Sequence, residues 1–335
     1  MEIPPRFQAL VTEETRPGLF TRRIVARKVA ELPAGDVLIR VAYSSLNYKD
    51  ALSASGRPGV TKRYPHTPGI DAAGEVVSCS DGTFAVGDKV LVTGFDLGMN
   101  TPGGFGQYIR VPSRWVLPLP AGLSLQESMI LGTAGLTAGL SLARLQQAGV
   151  IPASGEILVT GASGGVGSLA VQILARAGYA VTAATGKAGE HAWLQGLGAS
   201  NVIARVDLLE GAERPLLKER WGGVVDCVGG ATLAAALKAT RYGGVVTCCG
   251  LVGSSELNVN VFPFILRGVS LLGIDSVEAP MAQRRAVWEK LAGPWKPARL
   301  QAGAEECDLA GLETRIAVIL AGGARGRTVV RLGEE

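Results

Sequence analysis

The sequence predicts an α/β protein in two parts: a β-rich, barrel-like domain and a doubly wound domain built on a parallel sheet. Three observations predict it. Up to about residue 125 the chain carries short strand-like runs broken by Gly and Pro. From there to about residue 275, continuous apolar runs alternate with helices of about ten residues. Between Ile157 and Gln172 a strand end, a glycine loop and a helix opening follow one another directly.

In the first part the expected strands are FQALVTEE, DVLIRVAYSS, DAAGEVVSC, DKVLVTG and GQYIRVPS, with turn formers such as Pro33 to Asp36 between them. The texture changes at Leu125, where SMILGTAGLTAGLSLARL reads as a helix rich in small residues. The strands EILVTG, YAVTAAT, NVIAR, GVVDCVG and GVVTCCG then alternate with the helical patterns SLAVQILARAG, HAWLQGLG, PLLKERW and ATLAAALKAT. Parallel strands covered on both faces read as such unbroken apolar runs. After about residue 275, MAQRRAVWEKLAG and GLETRIAVILAGG are expected helices and GRTVVRL a last strand. A lone terminal strand needs a partner, and the first domain is its expected host.

With 335 residues and 47% hydrophobic side chains, the chain can bury a large core. It has no uncharged apolar span of 18 residues, and its N-terminus MEIPPRFQALV lacks the basic patch and apolar core of a signal peptide, so a cytoplasmic location away from membranes is expected. The five cysteines show no C-x-x-C spacing, which fits a reducing compartment. A net charge of +4 without a long basic tract, and aromatics not interleaved with basic residues, give no nucleic-acid surface.

In ILVTGASGGVGSLAVQ, Gly161 and Gly164 allow a tight turn and close approach of a pyrophosphate. Gly167 lets helix and strand pack closely, and the free amides of the first helical turn face the phosphates; Ser163 and Ser168 add hydroxyls. The spacing is G-x-x-G-x-x-G, and the G-K-[ST] of a nucleotide-hydrolysing loop is absent. In a dinucleotide site the next strand ends in an acid when NAD is bound. Here VTAAT ends without one, and Thr185-Gly186-Lys187 follows, with Arg205 at the end of the next strand. A cation and a hydroxyl suit the 2′-phosphate of NADP, which a carboxylate would repel. The loops Cys249 to Gly253 and Gly273 to Ser276 are candidates for nicotinamide contacts, because ligands collect at the carboxyl ends of such strands. Asp226 is either part of that edge or a buried structural acid.

The chain's only histidines, His66 and His191, allow no three-histidine site and no H-E-x-x-H, so no metal is expected. The polar run Ser44-Ser45-Leu46-Asn47-Tyr48-Lys49-Asp50 has two readings. Asn47, Tyr48 and Lys49 can orient a carbonyl or donate a proton, with Tyr48 across a nicotinamide. Alternatively the run is a helix start capped by a serine, with Asp50 in the first turn.

The blocks VTGASGGVGSLAV, SSLNYKD, PGIDAAGEV, MILGTAGLTA, GYAVTAATGK, PFILRGVSLLGIDSV and GRTVV are spread along most of the chain, from Ser44 to Val330. Together they closely resemble the medium-chain dehydrogenase/reductase superfamily, in the zinc-free quinone-oxidoreductase-like branch that contains NADPH-dependent acryloyl-CoA reductases. The resemblance implies a GroES-like catalytic domain at 1–125 and 276–335, a Rossmann NADPH-binding domain at 126–275, and a homodimer. Zinc alcohol dehydrogenases of the superfamily have G-H-E where this chain has Gly69-Ile70-Asp71.

The same resemblance implies cofactor contacts by Tyr48, Ser163, Gly164, Gly165, Val166, Thr185, Gly186, Lys187, Arg205, Leu251, Ile265 and Ser276. Lys187 stands where many members have arginine, which keeps the charge but changes the grip on a phosphate. Gly322 stands where relatives place an asparagine. The implied reaction takes acryloyl-CoA to propionyl-CoA: hydride passes from NADPH to the β-carbon, a proton reaches the α-carbon, and backbone amides or the Asn47/Tyr48 region steady the thioester oxygen. Arg57, Lys62 and Arg63 are candidates for CoA phosphates. The alternative is an NADPH reductase of quinones or small enones and enals.

Overall fold

The computed structural model of the protein describes residues 3–333. In chain order, strands β1 (Arg6–Arg16), β2 (Leu19–Lys28) and β3 (Val37–Leu46) lead into helix α1 (Tyr48–Ser53). Strands β4 (Asp71–Cys79), β5 (Lys89–Thr93), β6 (Tyr108–Val111) and β7 (Val116–Pro118) follow, then helix α2 (Leu125–Gln147). The alternating part runs β8 (Ile157–Thr160), α3 (Gly165–Arg176), β9 (Val181–Thr185), α4 (His191–Gly196), β10 (Asn201–Ala204), β11 (Trp221–Asp226), α5 (Gly230–Lys238), β12 (Thr240–Cys248), α6 (Phe262–Arg267) and β13 (Ser270–Gly273). The chain ends with α7 (Met281–Ala292), β14 (Ala304–Cys307), α8 (Leu312–Leu320) and β15 (Arg327–Arg331).

The β-rich unit extends to Thr133 and includes Val277–Arg285 and the chain from Ala304 on. Its main sheet has the order β14-β15-β3-β4-β5-β7, with β6 also on β3. β15 lies antiparallel to β3, so the last strand does find its partner in the first domain. The inward residues of these strands, among them Val37, Ile39, Val90, Ile109 and Val330, form one core with Leu312 and Ile316 of α8. β1 and β2 form a separate hairpin. No residue of β2 is buried, so LFTRRIVARK shows no apolar alternation and reads poorly as a strand in sequence.

The second unit comprises Ala134–Ser276 and Ala286–Gly303. Its six strands, in the order β10-β9-β8-β11-β12-β13, are all parallel. The order reverses between β8 and β11, the switch point where such sheets bind ligands. Trp221, Leu158, Val246 and Leu237 lie at its core.

Three sequence expectations differ from the structure. The boundary at 125/126 lies instead at Thr133, because α2 breaks at Gly132 (φ 50°, ψ −154°) and Thr133 is hydrogen-bonded into the β-rich unit. The segment 286–303, assigned by sequence to the catalytic domain, groups with the parallel sheet: a side chain at Gly139 would meet Val287 Cγ1 at 2.5 Å, so α7 packs directly on α2 there. PLLKERW is irregular rather than helical, bending at Pro215 and Leu216 and entering β11 only at Trp221. Its Leu217 and Arg220 N–H groups donate to the carbonyls of Lys238 and Ala239, and Arg267 donates to the Leu217 carbonyl. That pairing consumes the groups a helix would need.

Candidate functional site

The carboxyl-terminal edge of the parallel sheet is built on glycine geometry. Gly161, just past β8, has φ 59°, a left-handed conformation that suits glycine. Gly164 donates to the Gly161 carbonyl at 2.9 Å and caps α3. A Cβ at Gly167 would lie 2.3 Å from the Gly161 oxygen, so helix and loop touch backbone to backbone. The N–H groups of Gly165, Val166 and Gly167 occupy the first turn of this twelve-residue helix, where no intrahelical acceptor exists.

Beside that turn lies a polar cluster. Ser163 Oγ is 2.9 Å from Thr185 Oγ1 at the end of β9, and Thr185 Oγ1 accepts from the Lys187 N–H at 3.1 Å. The Arg205 guanidinium lies across Gly186, with Cζ 3.3 Å from where a Cβ would be. Partial burial lowers the Lys187 ammonium pKa, and Glu190 opposes the shift. Ser163, Gly164, Gly165, Val166, Thr185, Gly186, Lys187 and Arg205 thus belong to adjoining loops at the ends of β8, β9 and β10. Leu251 follows β12 and is 67% exposed, and Ile265 on α6 is equally exposed. Ser276 is buried and accepts from Thr137 Oγ1 at 2.7 Å.

Asp226 is structural. Buried at the end of β11, it accepts from Thr160 Oγ1 at 2.6 Å and from the N–H groups of Gly229 and Val228. It ties the turn after β11 to the end of β8. Burial raises its carboxyl pKa even so.

The β-rich unit contributes a second polar assembly. The N-cap of α1 is Asn47, not a serine. Its N–H donates to Asp50 Oδ2 at 2.8 Å, while Asp50 Oδ1 accepts from Ile70 N–H at 2.8 Å. Ser44 and Ser45 belong to β3 instead: Ser44 Oγ donates to the Asp71 carbonyl and Ser45 Oγ to the Asp71 carboxylate, both at 2.6 Å. Asn47 Nδ2 donates to Asp71 Oδ2 at 2.8 Å, and Asn47 Oδ1 accepts from Arg327 Nη1 at 3.1 Å. Arg327 also donates to Ser45 Oγ and to the carbonyls of Leu46 and Ile130, and pairs with Asp71 at 3.9 Å. Thr133 completes the Asp71 environment through its N–H and Oγ1.

A Cβ at Gly132 would sit 2.5 Å from Asp71 Oδ2, so the break in α2 needs glycine for space as well as for φ. Asp50, Asp71 and Ser45 are fully buried and Arg327 nearly so. Burial, with Asp71 close by, raises the Asp50 carboxyl to about 7 although N–H groups donate to it. The amide of Asn47 is spent inside this network, so what Asn47 orients is the start of α1. The residue it sets in place is Tyr48, 43% exposed. Sequence reasoning singled out Asn47 and Tyr48 but missed Asp71 and Arg327 as their supports. Both lie inside quoted blocks, PGIDAAGEV and GRTVV, yet nothing in their spacing announces the pairing.

The model for the alcohol dehydrogenase GroES-like domain matches residues 33–121, and the model for zinc-binding dehydrogenase matches residues 165–292. YhfP of Bacillus subtilis, provisionally named a quinone oxidoreductase, is 46% identical over 97% of this chain and 99% of its own. The acrylyl-CoA reductase AcuI of Ruegeria pomeroyi is 43% identical over 97% of this chain and 98% of its own. The crystal structure of YhfP with NAD bound superimposes with a TM-score of 0.95, covering 98% of this chain and 99% of that one. The YhdH oxidoreductase of Salmonella enterica in complex with NADP, 42% identical, gives 0.94 over 97% and 99%.

This chain belongs to the medium-chain dehydrogenase/reductase family, in its zinc-independent branch of quinone oxidoreductases and acryloyl-CoA reductases. It is an NAD(P)H-dependent oxidoreductase acting on activated C=C bonds. One matched model has zinc in its description, but among the described residues no three His, Cys, Asp or Glu side chains come together as a ligand set. Helix α2 is long and apolar enough to cross a membrane, yet its apolar window is 83% buried within the protein, as in a core helix.

Proposed function

We propose that this protein reduces quinone-type acceptors and small enones or enals, with NADPH as the preferred cofactor. Relatives leave the cofactor open, since the YhfP crystal structure holds NAD and the YhdH complex holds NADP. The observation that carries the NADPH reading is the end of β9: a buried threonine hydroxyl, the Lys187 ammonium and the Arg205 guanidinium across Gly186, with no carboxylate at the strand end itself. The glycine cradle of Gly161 and Gly167 leaves the close backbone approach a pyrophosphate needs.

In this reading Ser163 and the amides of Gly164 to Val166 hold the diphosphate, and Thr185, Gly186, Lys187 and Arg205 hold the 2′-phosphate. Leu251, Ile265 and Ser276 line the rest of the cofactor's path. When bound, NADPH supplies a hydride to the β-carbon of the activated double bond. Tyr48 would be the group offered to the bound cofactor, and its hydroxyl would meet the substrate oxygen, where negative charge develops. Asn47 acts on that oxygen through α1 rather than by contact. The unit of function is a homodimer in this reading, which light scattering of the purified protein tests directly.

A second reading, acryloyl-CoA reduction, draws support from AcuI and from one feature of this chain. Arg57, Lys62 and Arg63 are exposed on the loop that follows α1, and could receive the phosphates of a CoA thioester. Following NADPH loss with benzoquinone, a small enone and acryloyl-CoA in parallel separates the two. A kcat/KM for acryloyl-CoA clearly above the others would move the assignment to the thioester. Failure of NADPH to bind in a fluorescence titration would remove both.

A further inference from the structure

Two of the five cysteines stand side by side at the carboxyl edge of the parallel sheet. β11 and β12 pair in register from Gly223↔Val245 to Asp226↔Cys248, and the pairing continues past the strand ends. Cys249 N–H donates to the Asp226 carbonyl, Gly253 N–H donates to the Val228 carbonyl, and Gly229 bridges to Ser254. Cys227 and Cys249 are therefore the next cross-strand pair. Their sulfurs lie 3.8 Å apart. Neighbouring strands run about 4.8 Å apart, inside the roughly 4.4–6.8 Å between Cα atoms that a disulfide spans. Both cysteines are partly exposed and both are free thiols. Cys248 points to the other face by strand alternation, where it packs against the core around Trp221 and Val246.

We propose that Cys227 and Cys249 are a redox modification site that a hydroperoxide converts reversibly to a disulfide, weakening NADPH binding through the Leu251 loop. The chemistry needs two steps. The Cys249 thiolate attacks the peroxide, an S–O bond forms as the O–O bond breaks, the leaving oxygen departs as an alcohol (water from hydrogen peroxide) with the proton the Cys249 thiol released, and Cys249 becomes a sulfenic acid. The Cys227 sulfur then attacks that sulfur: the S–S bond forms, the S–O bond breaks, and water leaves with the Cys227 proton. Two thiols lose two electrons in total and one hydroperoxide is reduced. The hydrogen bond with Cys249 and burial both push the Cys227 thiol pKa up, and the proposal gives Cys227 the resolving role.

Closing the bond shortens the sulfur separation from 3.8 Å to about 2.05 Å. Gly250 packs backbone to backbone on Cys227, since a Cβ added there would lie 2.2 Å from the Cys227 oxygen, so a shift of the Cys227–Cys249 pair is felt in this loop. In the proposal that shift carries on to Leu251, the next residue in the loop, which the proposed function reads as a cofactor contact; this part of the inference rests on that reading.

The test treats the full-length protein with hydrogen peroxide, maps disulfides by peptide mass, and titrates NADPH before and after. A Cys227–Cys249 link with a mass loss of two hydrogens is expected, reversed by dithiothreitol, with the NADPH Kd raised threefold or more. Cys227→Ser and Cys249→Ser should both abolish the link while Cys248→Ser keeps it, with thermal melts confirming that each variant folds. Absence of the link in the wild type, or its loss in Cys248→Ser, overturns the modification site. A link that leaves the NADPH Kd unchanged overturns its effect on the cofactor. Reduced protein that binds no NADPH counts against the proposed function instead, and the mapped link still decides the thiol chemistry.

Discussion

The β-rich unit and the parallel-sheet unit each hold a cluster of charged and hydroxyl side chains, and the two clusters are made in opposite ways. Around Asp71 the polar atoms are buried and answer one another: Arg327, Ser45, Asn47 and Thr133 all end on the same carboxylate or on each other. Around Thr185 the cations Lys187 and Arg205 lie partly or fully open to solvent. A closed network of this kind has little left with which to bind a ligand, but it holds the backbone it anchors in one conformation. An open one is less constrained and can accept an anion. The first positions α1 and Tyr48; the second is the one the proposed function assigns to a phosphate.

If that contrast is right, the largest effect comes from the closed cluster. Arg327→Leu leaves Asp71 and Asp50 buried without their cation, a change that typically costs about 3–5 kcal/mol. Chemical denaturation should show a loss of that size. A loss under 1 kcal/mol would mean the network is not held by charge. Gly167→Ala comes next. Its Cβ would lie 2.3 Å from the Gly161 oxygen and 2.7 Å from Ala162 Cα, both backbone atoms, so α3 must move. About 1–3 kcal/mol of stability should be lost, as for other overpacked sites, together with weaker dinucleotide binding. An unchanged melting temperature and NADPH Kd would show that the loop has slack.

Lys187→Glu probes the open cluster. It should raise the NADPH KM tenfold or more, as expected when a charge-assisted bond of about 1.5–3 kcal/mol is lost, and affect NADH far less. The fold should be untouched, since Lys187 is only partly buried. Equal effects on the two cofactors would take Lys187 out of the phosphate site.

The two clusters also differ in how far they could be read before the fold was known. Thr185, Gly186 and Lys187 are consecutive, and a parallel strand must deliver its last residues to the carboxyl edge of the sheet, so the strand pattern with the glycine loop before it was enough to put them on that edge. The β-rich cluster draws on β3, β4, the break in α2 and β15, which meet only through the antiparallel pairing of the last strand with β3. Separation in sequence hid Arg327 and Asp71 even though both sat in recognisable blocks. Asn47 was visible, but as a group for the substrate rather than as the cap that its two buried partners require. The error in PLLKERW is of the same kind, because a short apolar stretch cannot show in sequence that its N–H groups will be taken by the end of α5.

The smallest expected effect tests the charge balance inside the closed cluster. Asp50 is raised to about 7 from an ordinary value near 4, first by burial and then by the neighbouring Asp71. Between those values the folded protein binds a proton that the unfolded chain has released. This group's contribution to stability is therefore complete below about pH 4 and is lost as pH rises through about 7. Over the span from pH 6 to 8 that amounts to about 1 kcal/mol, less than the network loses with Arg327. His66, whose pKa burial lowers, acts in the opposite direction as pH falls, so the wild-type curve alone does not isolate Asp50. Comparison with Asp50→Asn does, because the amide does not titrate and the rest of the protein is common to both. Stability of the wild type should fall relative to the variant by about that amount from pH 6 to 8. Parallel curves would mean that Arg327 and the three N–H bonds from Asn47 and Ile70 keep Asp50 ionised throughout, and that the network is more tightly balanced than burial implies.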